Sequence, residues 1–307
     1  MTSPDRAAEA FNALVDGGVQ RREIDRGGRG LRWLEAGTGE PAIVFEAGAM
    51  SPATTWASVF AELAPVYRVI AYDRAGYGAS DPAPLSLDLQ LGDLLAILEA
   101  AGPKPSVVVG HSWGGLLAQL AAWSRPELVA GLVLCDPSHE RIWLESPDPE
   151  QLRASGEHPS PTLRPGADPR SADMLSFADE SARNAARSAS DDPRIRDLLI
   201  EAGLSYLANE EQLRTHLEEF PMILDNVDEL AARRAVAQWP QLPMVILTAT
   251  KGRPPEYTPL VLAAQDEVAS VTGARHTVVP DSGHYVHIDR PDLVVDAVRD
   301  VAAASGK

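Results

Sequence analysis

A mostly parallel α/β sheet of eight strands, flanked by helices on both faces and carrying one helical insertion, is the fold class the sequence predicts. Three observations predict it. Short apolar or β-branched runs alternate with segments of helical spacing along most of the 307 residues, the pattern of a sheet covered on both sides. The alternation breaks once, between Pro137 and Gln238. A Gly110-His111-Ser112-Trp113-Gly114-Gly115 turn joins one apolar run to an apolar helical segment.

The elements follow in order. After an amphipathic start at Ala7 to Val15, the segments Arg22 to Arg26 and Leu31 to Ala36 flank Gly27-Gly28-Arg29-Gly30, a hairpin signal. Ala42 to Ala47, Arg68 to Asp73, Val107 to Gly110, Leu132 to Cys135, Met244 to Thr248 and His276 to Val279 are short and continuously apolar or β-branched, as strands buried on both faces are. Helical spacing marks Thr54 to Ala64, Leu87 to Ala101, Trp113 to Trp123, Pro259 to Val271 and Asp292 to Ala303. Residues 1–136 and 239–307 are thus expected to form the core, and 137–238 a mobile helical lid. Within that lid Ser146 to Ser171 reads as a loop rich in Pro, Ser and Asp, while Ser176 to Ser188, Pro193 to Leu207, Glu210 to Leu217 and Val227 to Val236 read as helices.

Composition narrows the function. A chain of this length buries roughly 75% of its unfolded surface, enough for one large domain without cross-links. Cys135 is the sole cysteine, so neither an intramolecular disulfide nor a thiolate zinc site is available. The net charge of −17, with 24 Arg and 3 Lys scattered along the chain, disfavours nucleic acid and anionic lipid as partners. A small-molecule substrate is expected instead. No apolar run approaches the ~20 residues of a membrane span, and Met1 to Gln20 lacks a basic region followed by an apolar one, so a cytoplasmic location is expected.

The chemistry concentrates at Gly110 to Gly115. A G-x-S-x-G segment between strand and helix lifts its serine out of the sheet on a tight turn, and only glycine fits two residues either side. Ser112 is then the candidate nucleophile, and the free backbone N–H of Trp113 at the helix start a candidate oxyanion donor. With Glu46-Ala47-Gly48-Ala49 after the third strand, Asp73-Arg74-Ala75-Gly76-Tyr77-Gly78-Ala79-Ser80 after the fourth and Ser282-Gly283-His284 after the last, the chain from Arg22 to Ala303 resembles the α/β-hydrolase superfamily.

That resemblance implies a serine, histidine and acid acting together, without a cofactor. Of seven histidines, His284 matches the family's Gly-His placement and is the expected base, with His287 its rival. His111 reads as structural. His139, His158, His216 and His276 read as lid or surface residues, His139 with a possible place at the pocket. No pair has H-E-x-x-H spacing, so no metal is expected. The acid departs from the family's commonest pattern, because the loop after the seventh strand, Thr248 to Glu256, contains no Asp. Asp136 ends the sixth strand, where some relatives resembling haloalkane dehalogenases carry the acid. It is the first candidate, with Glu256 the alternative and Asp266 and Asp281 more distant. The second oxyanion donor is expected at Ala49, or else Met50. Glu46 and Arg74 are expected to form a structural ion pair.

The expected activity is hydrolysis of a carboxylic ester or lactone of a small, fairly apolar molecule through an acyl-enzyme. Thioester, acyl-transfer and carbon–carbon chemistry on the same residues, or ligand binding without turnover, stay open. A serine nucleophile argues against epoxide opening, for which relatives use Asp. Met50, Trp143, Phe177, Tyr206, Phe220 and Met222 are candidates for lining the substrate pocket.

Overall fold

The computed structural model describes residues 3–145 and 171–306. Eight strands form one sheet: β1 Gln20–Asp25, β2 Gly30–Ala36, β3 Ile43–Glu46, β4 Val69–Tyr72, β5 Ser106–His111, β6 Val129–Cys135, β7 Met244–Ala249 and β8 Arg275–Val279. Their order is β1-β2-β4-β3-β5-β6-β7-β8. The hairpin β1–β2 and the β2–β4 pair are antiparallel, and every other pairing is parallel.

Alternation along the central strands builds two cores. Ile43 and Phe45 of β3, Val107 and Val109 of β5, Val133 and Cys135 of β6 and Val245 and Leu247 of β7 face one side. There they meet Phe11 of the N-terminal helix Ser3–Leu14, Phe60 of Ala57–Leu63 and Val298 of Pro291–Ser305. Val44, Val108, Leu132, Leu134 and Ile246 face the other side, against Leu94 of Leu87–Ala100 and Leu117 of Trp113–Ser124. Because β5 is buried on both faces along its whole length, it holds the segment that follows it rigidly. A site at the carboxyl ends of such strands is the general rule for open α/β sheets.

Between β6 and β7 lies the helical insertion, described as Glu140–Leu144, Ala172–Ala189, Pro193–Gly203, Glu210–Asp225 and Val227–Val236. Ala186, Ile195, Leu198 and Leu199 join the first core, and Ile223 and Leu230 join the second. The loop expected from Ser146 falls, up to residue 170, outside the described residues. Several helices depart from their expected limits: Pro193 to Leu207 ends at Gly203 and gives way to a 3-10 turn at Ser205–Ala208, and the helix expected from Ser176 begins at Ala172. The one expected to stop at Leu217 runs to Asp225 through Pro221. Proline costs a helix one hydrogen bond and a steric clash, but the buried face of Leu213, His216, Glu219 and Ile223 continues across it and holds the last turns. Thr54 to Ala64 divides into a 3-10 turn, Ala53–Trp56, and a helix from Ala57. Among the described residues no helix is long and apolar enough to cross a membrane.

Candidate active site

The turn after β5 has the geometry its glycines imply. Ser112 adopts φ 51° and ψ −119°, a left-handed conformation that a non-glycine residue holds only when its surroundings impose it. A Cβ on Gly110 would lie 2.5 Å from the Gly114 carbonyl oxygen, and one on Gly114 would lie 2.4 Å from the carbonyl oxygens of Glu46 and Ala47. The serine backbone is pinned from two sides: its N–H donates to Cys135 at 3.1 Å, and its carbonyl accepts from Ser138 N–H at 2.9 Å. Among the described residues the non-glycine positions with positive φ are Met50, Ser112 and Asp136. Strain of this kind collects at functional sites, and all three border one cavity of about 480 Å³.

His284 enters that cavity from the loop after β8. Its Nδ1 lies 2.6 Å from Asp136 Oδ2, so Nε2 occupies the opposite edge of the ring. Burial, then the positive charge of Arg253, then His287, hold its pKa well below the ordinary histidine value, which leaves the ring neutral and able to accept a proton. Asp136 is itself fixed. Its Oδ1 accepts from Ala249 N–H at 3.1 Å, and its Oδ2 accepts from Arg253 Nη2 at 2.7 Å as well as from His284. The expected acid and base therefore meet across a separation of 148 residues in the chain. Glu256 is solvent-exposed and does not border the cavity. Asp266 pairs with His276, and Asp281 with Arg290.

Ser112 and His284 share the cavity. The serine hydroxyl has Ser138 Oγ at 3.4 Å, and no Ser112–His284 hydrogen bond is closed among the described residues; such bonds often tighten only with substrate present. His287 is fully buried and stacked on Trp56 at 4.1 Å, away from the cavity. His111 Nε2 lies 3.0 Å from the His284 carbonyl oxygen and so helps hold the His284 loop. His139 does not border the cavity: its Nδ1 accepts from Arg141 N–H at the start of Glu140–Leu144, where that ring caps the helix. His216, expected on the lid or surface, lies on the insertion helix Glu210–Asp225, where it also borders the cavity and stacks on Tyr206 at 4.1 Å. His158 lies outside the described residues. Thr248, His276 and Asp266 form a chain of similar connectivity at 2.8 and 2.7 Å, but Thr248 is fully buried and does not border this cavity.

Trp113 begins a helix whose first N–H groups have no partner within the helix. Its indole is buried and donates to Gln90 Oε1 at 2.7 Å. Ala49 borders the cavity, while the neighbouring Met50 N–H already donates to Glu219 at 2.5 Å. The Glu46–Arg74 pair is present at 2.8 Å with Tyr72 bonded to the same carboxylate. Burial, outweighing the charge of Arg74, pushes the Glu46 carboxyl up to about 7. Trp143, Phe177, Tyr206, Phe220 and Met50 border the cavity, whereas Met222 packs against the second core. Sequence reasoning missed Arg253, Ser138, Gln90 and Glu219. For Glu219 the one local trace is a carboxylate on the apolar stripe of an amphipathic helix, which calls for a buried partner without naming it. Among the described residues no three His, Cys, Asp or Glu side chains converge as metal ligands would.

The sequence profile of the alpha/beta hydrolase family matches residues 43–297. The chain is 28% identical over 149 residues to Epoxide hydrolase 4 of Mus musculus, covering 47% of this chain and 39% of that relative, so it spans well under two thirds of that protein. It is 27% identical over 262 residues to the sn-1-specific diacylglycerol lipase ABHD11 of Mus musculus, covering 84% of this chain and 80% of the relative. Among solved structures it is similar to Cfl2 of Burkholderia cenocepacia, with a TM-score of 0.72 at 20% identity over 93% of this chain and 96% of that one, a likeness of fold.

Proposed function

Since the chain belongs to the alpha/beta hydrolase family, we propose that it is a serine hydrolase that cleaves a carboxylic ester or lactone of a small, fairly apolar molecule through an acyl-enzyme. The observation that carries this reading is the 2.6 Å contact between His284 Nδ1 and Asp136 beside a strained Ser112 in one cavity. Ser112 Oγ attacks the acyl carbon while its proton passes to His284 Nε2. Asp136 holds the ring in the required tautomer and stabilises the imidazolium that forms. The N–H groups of Ala49 and Trp113 receive the oxyanion. Collapse of the tetrahedral intermediate passes the proton from His284 to the departing alcohol oxygen, and water then cleaves the acyl-enzyme by the same route.

The substrate class rests on the cavity. Its volume suits a drug-sized molecule, and Trp143, Phe177, Leu199, Phe220, Ile223 and Ile288 make much of its wall apolar. Two of the relatives are named for different reactions, epoxide opening and diacylglycerol cleavage, and nucleophile chemistry separates them. A serine that opens an epoxide becomes an ether, which offers water no carbonyl to attack. A serine that attacks an ester becomes an ester that water cleaves. The ester reading therefore fits Ser112, and thioesters are accessible to the same steps.

A fluorophosphonate probe at neutral pH tests this reading, with the adduct located by peptide mass in wild type, Ser112→Ala and His284→Ala. Labelling at Ser112 that vanishes in both variants is expected. A folded wild-type protein that resists the probe and an ester, lactone and thioester panel would count against it.

A further inference from the structure

We infer that Glu219, contributed by the helical insertion, is a positioning residue for the oxyanion hole, so that the insertion sets the catalytic rate as well as covering the cavity. This rests on the hydrolase reading. Glu219 is fully buried and does not border the cavity, so it acts through other groups. Its Oε1 accepts from Arg74 Nε at 3.0 Å and from Gln90 Nε2 at 2.6 Å, and forms an ion pair with Arg74, whose Nη2 lies 2.9 Å away. Its Oε2 accepts from Tyr77 Oη at 2.7 Å and from Met50 N–H at 2.5 Å.

Two arms run from this carboxylate to the two proposed donors. On one, Arg74 also donates to the carbonyl oxygens of Ala47 at 2.6 Å and Gly48 at 2.7 Å. The loop is therefore tied on both sides of Ala49, at residues 47 and 48 and again at Met50, whose φ of 55° needs external support. On the other, Gln90 passes the connection to the Trp113 indole at 2.7 Å. The Met50 contact closes across 169 residues of chain, so nothing local to the loop replaces it.

Glu219→Gln isolates the first arm. The amide oxygen stays with Arg74 and Gln90, which places –NH2 against Tyr77 and Met50. Tyr77 can rotate to accept from it, but the Met50 N–H cannot. Glu219→Asp keeps the charge facing Arg74 and withdraws the carboxylate from Met50 by one methylene, so it serves as a second variant should the amide fail to fold. The readouts are p-nitrophenyl butyrate turnover, inhibition by phenylboronic acid and thermal melting. In the inhibitor complex Ser112 Oγ bonds to boron, the hydroxyl proton passes to His284, and the tetrahedral boron carries the negative charge.

We expect either folded variant to lose about a hundredfold in kcat, the scale of a misplaced or missing oxyanion donor, with KM within about threefold and weaker boronate inhibition by a factor similar to the kcat loss. A merely structural role lowers the melting temperature and leaves this split absent. Gln212→Met, which removes the 2.9 Å bond from the same helix to the Gly78 carbonyl, is expected to keep wild-type kcat. Wild-type kcat and inhibition in folded Glu219 variants, or an equal kcat loss in Gln212→Met, overturns the inference alone. A wild type inert to ester, boronate and fluorophosphonate overturns the hydrolase reading and this inference with it.

Discussion

Asp136→Asn is the substitution whose effect the structure specifies most closely. Among the described residues Ala249 N–H donates to the carboxylate at Oδ1, and Arg253 and His284 donate at Oδ2. Asparagine offers one oxygen and one –NH2. With the oxygen toward Ala249, two donors face the –NH2; with it toward Arg253 and His284, only one does. The second orientation is therefore favoured, and it keeps His284 in its working tautomer. What is lost is the negative charge that meets the imidazolium. For unit charges about 4 Å apart in an effective dielectric of about 20, that attraction is about 4 kcal/mol. At about 1.4 kcal/mol per decade this is about a thousandfold in kcat/KM. Asn tolerates the left-handed φ of 45° at this position, so the backbone should hold. The assay is steady-state hydrolysis of p-nitrophenyl butyrate, with thermal melting to confirm folding and Glu256→Gln as a comparison expected to stay within about twofold. A folded Asp136→Asn protein within tenfold of wild type would refute the assignment of Asp136, and a large loss in Glu256→Gln would transfer it.

Three further outcomes are expected. Because burial and Arg253 hold the His284 pKa well below the ordinary value, kcat/KM measured against pH should stay level through pH 6.5 and fall only below it, and Arg253→Gln should move that limb upward; a wild-type limb at or above 6.5 contradicts this. Gly114→Ala forces a Cβ to 2.4 Å from two backbone carbonyl oxygens, so the elbow must shift, with about 1–3 kcal/mol lost in thermal or urea unfolding and hydrolysis lost beyond that; unchanged melting would show that the turn has slack. Stability should fall on acidification. Burial lowers His139 to about 3 and His216 to about 4, so both contribute fully above the unfolded value of about 6.5 and lose that contribution as pH falls toward their folded values. Glu46, raised to about 7, runs the other way, present at low pH and lost as pH rises through 7. Between pH 6.5 and 4.5 the two histidines outweigh the one carboxyl, and His284 and His287, held low by burial as well, act in the same sense, so stability falls with pH across that window. Urea midpoints that do not move between pH 6.5 and 5 would reject it.

What the chain shows of its fold without coordinates is confined to local causes. The continuously apolar β3, β5, β6 and β7 announce strands covered on both faces, and each lies within three residues of its expected limits. Errors appear where a distant contact overrides a local preference, as at Pro221, whose helix persists because its buried face does. At the site, Gly110, Ser112, Gly114, Gly283 and His284 are legible because a turn too tight for side chains and a histidine behind a glycine leave marks in consecutive residues.

The sequence by itself determined the strained Ser112 turn and the strand and helix that brace it, since the steric conflicts involve neighbours in the chain. It left the choice between Asp136 and Glu256 open, because a carboxylate's reach depends on strand order. Only the placement of β6 beside β5 and β7 sets Asp136 against His284 and Arg253. The same holds for Glu219. One carboxylate in an insertion reaches Met50, Arg74, Tyr77 and Gln90 from far along the chain, and a buried charge is worth retaining only where such donors meet it. Residue type states that demand; the tertiary fold alone supplies the partners.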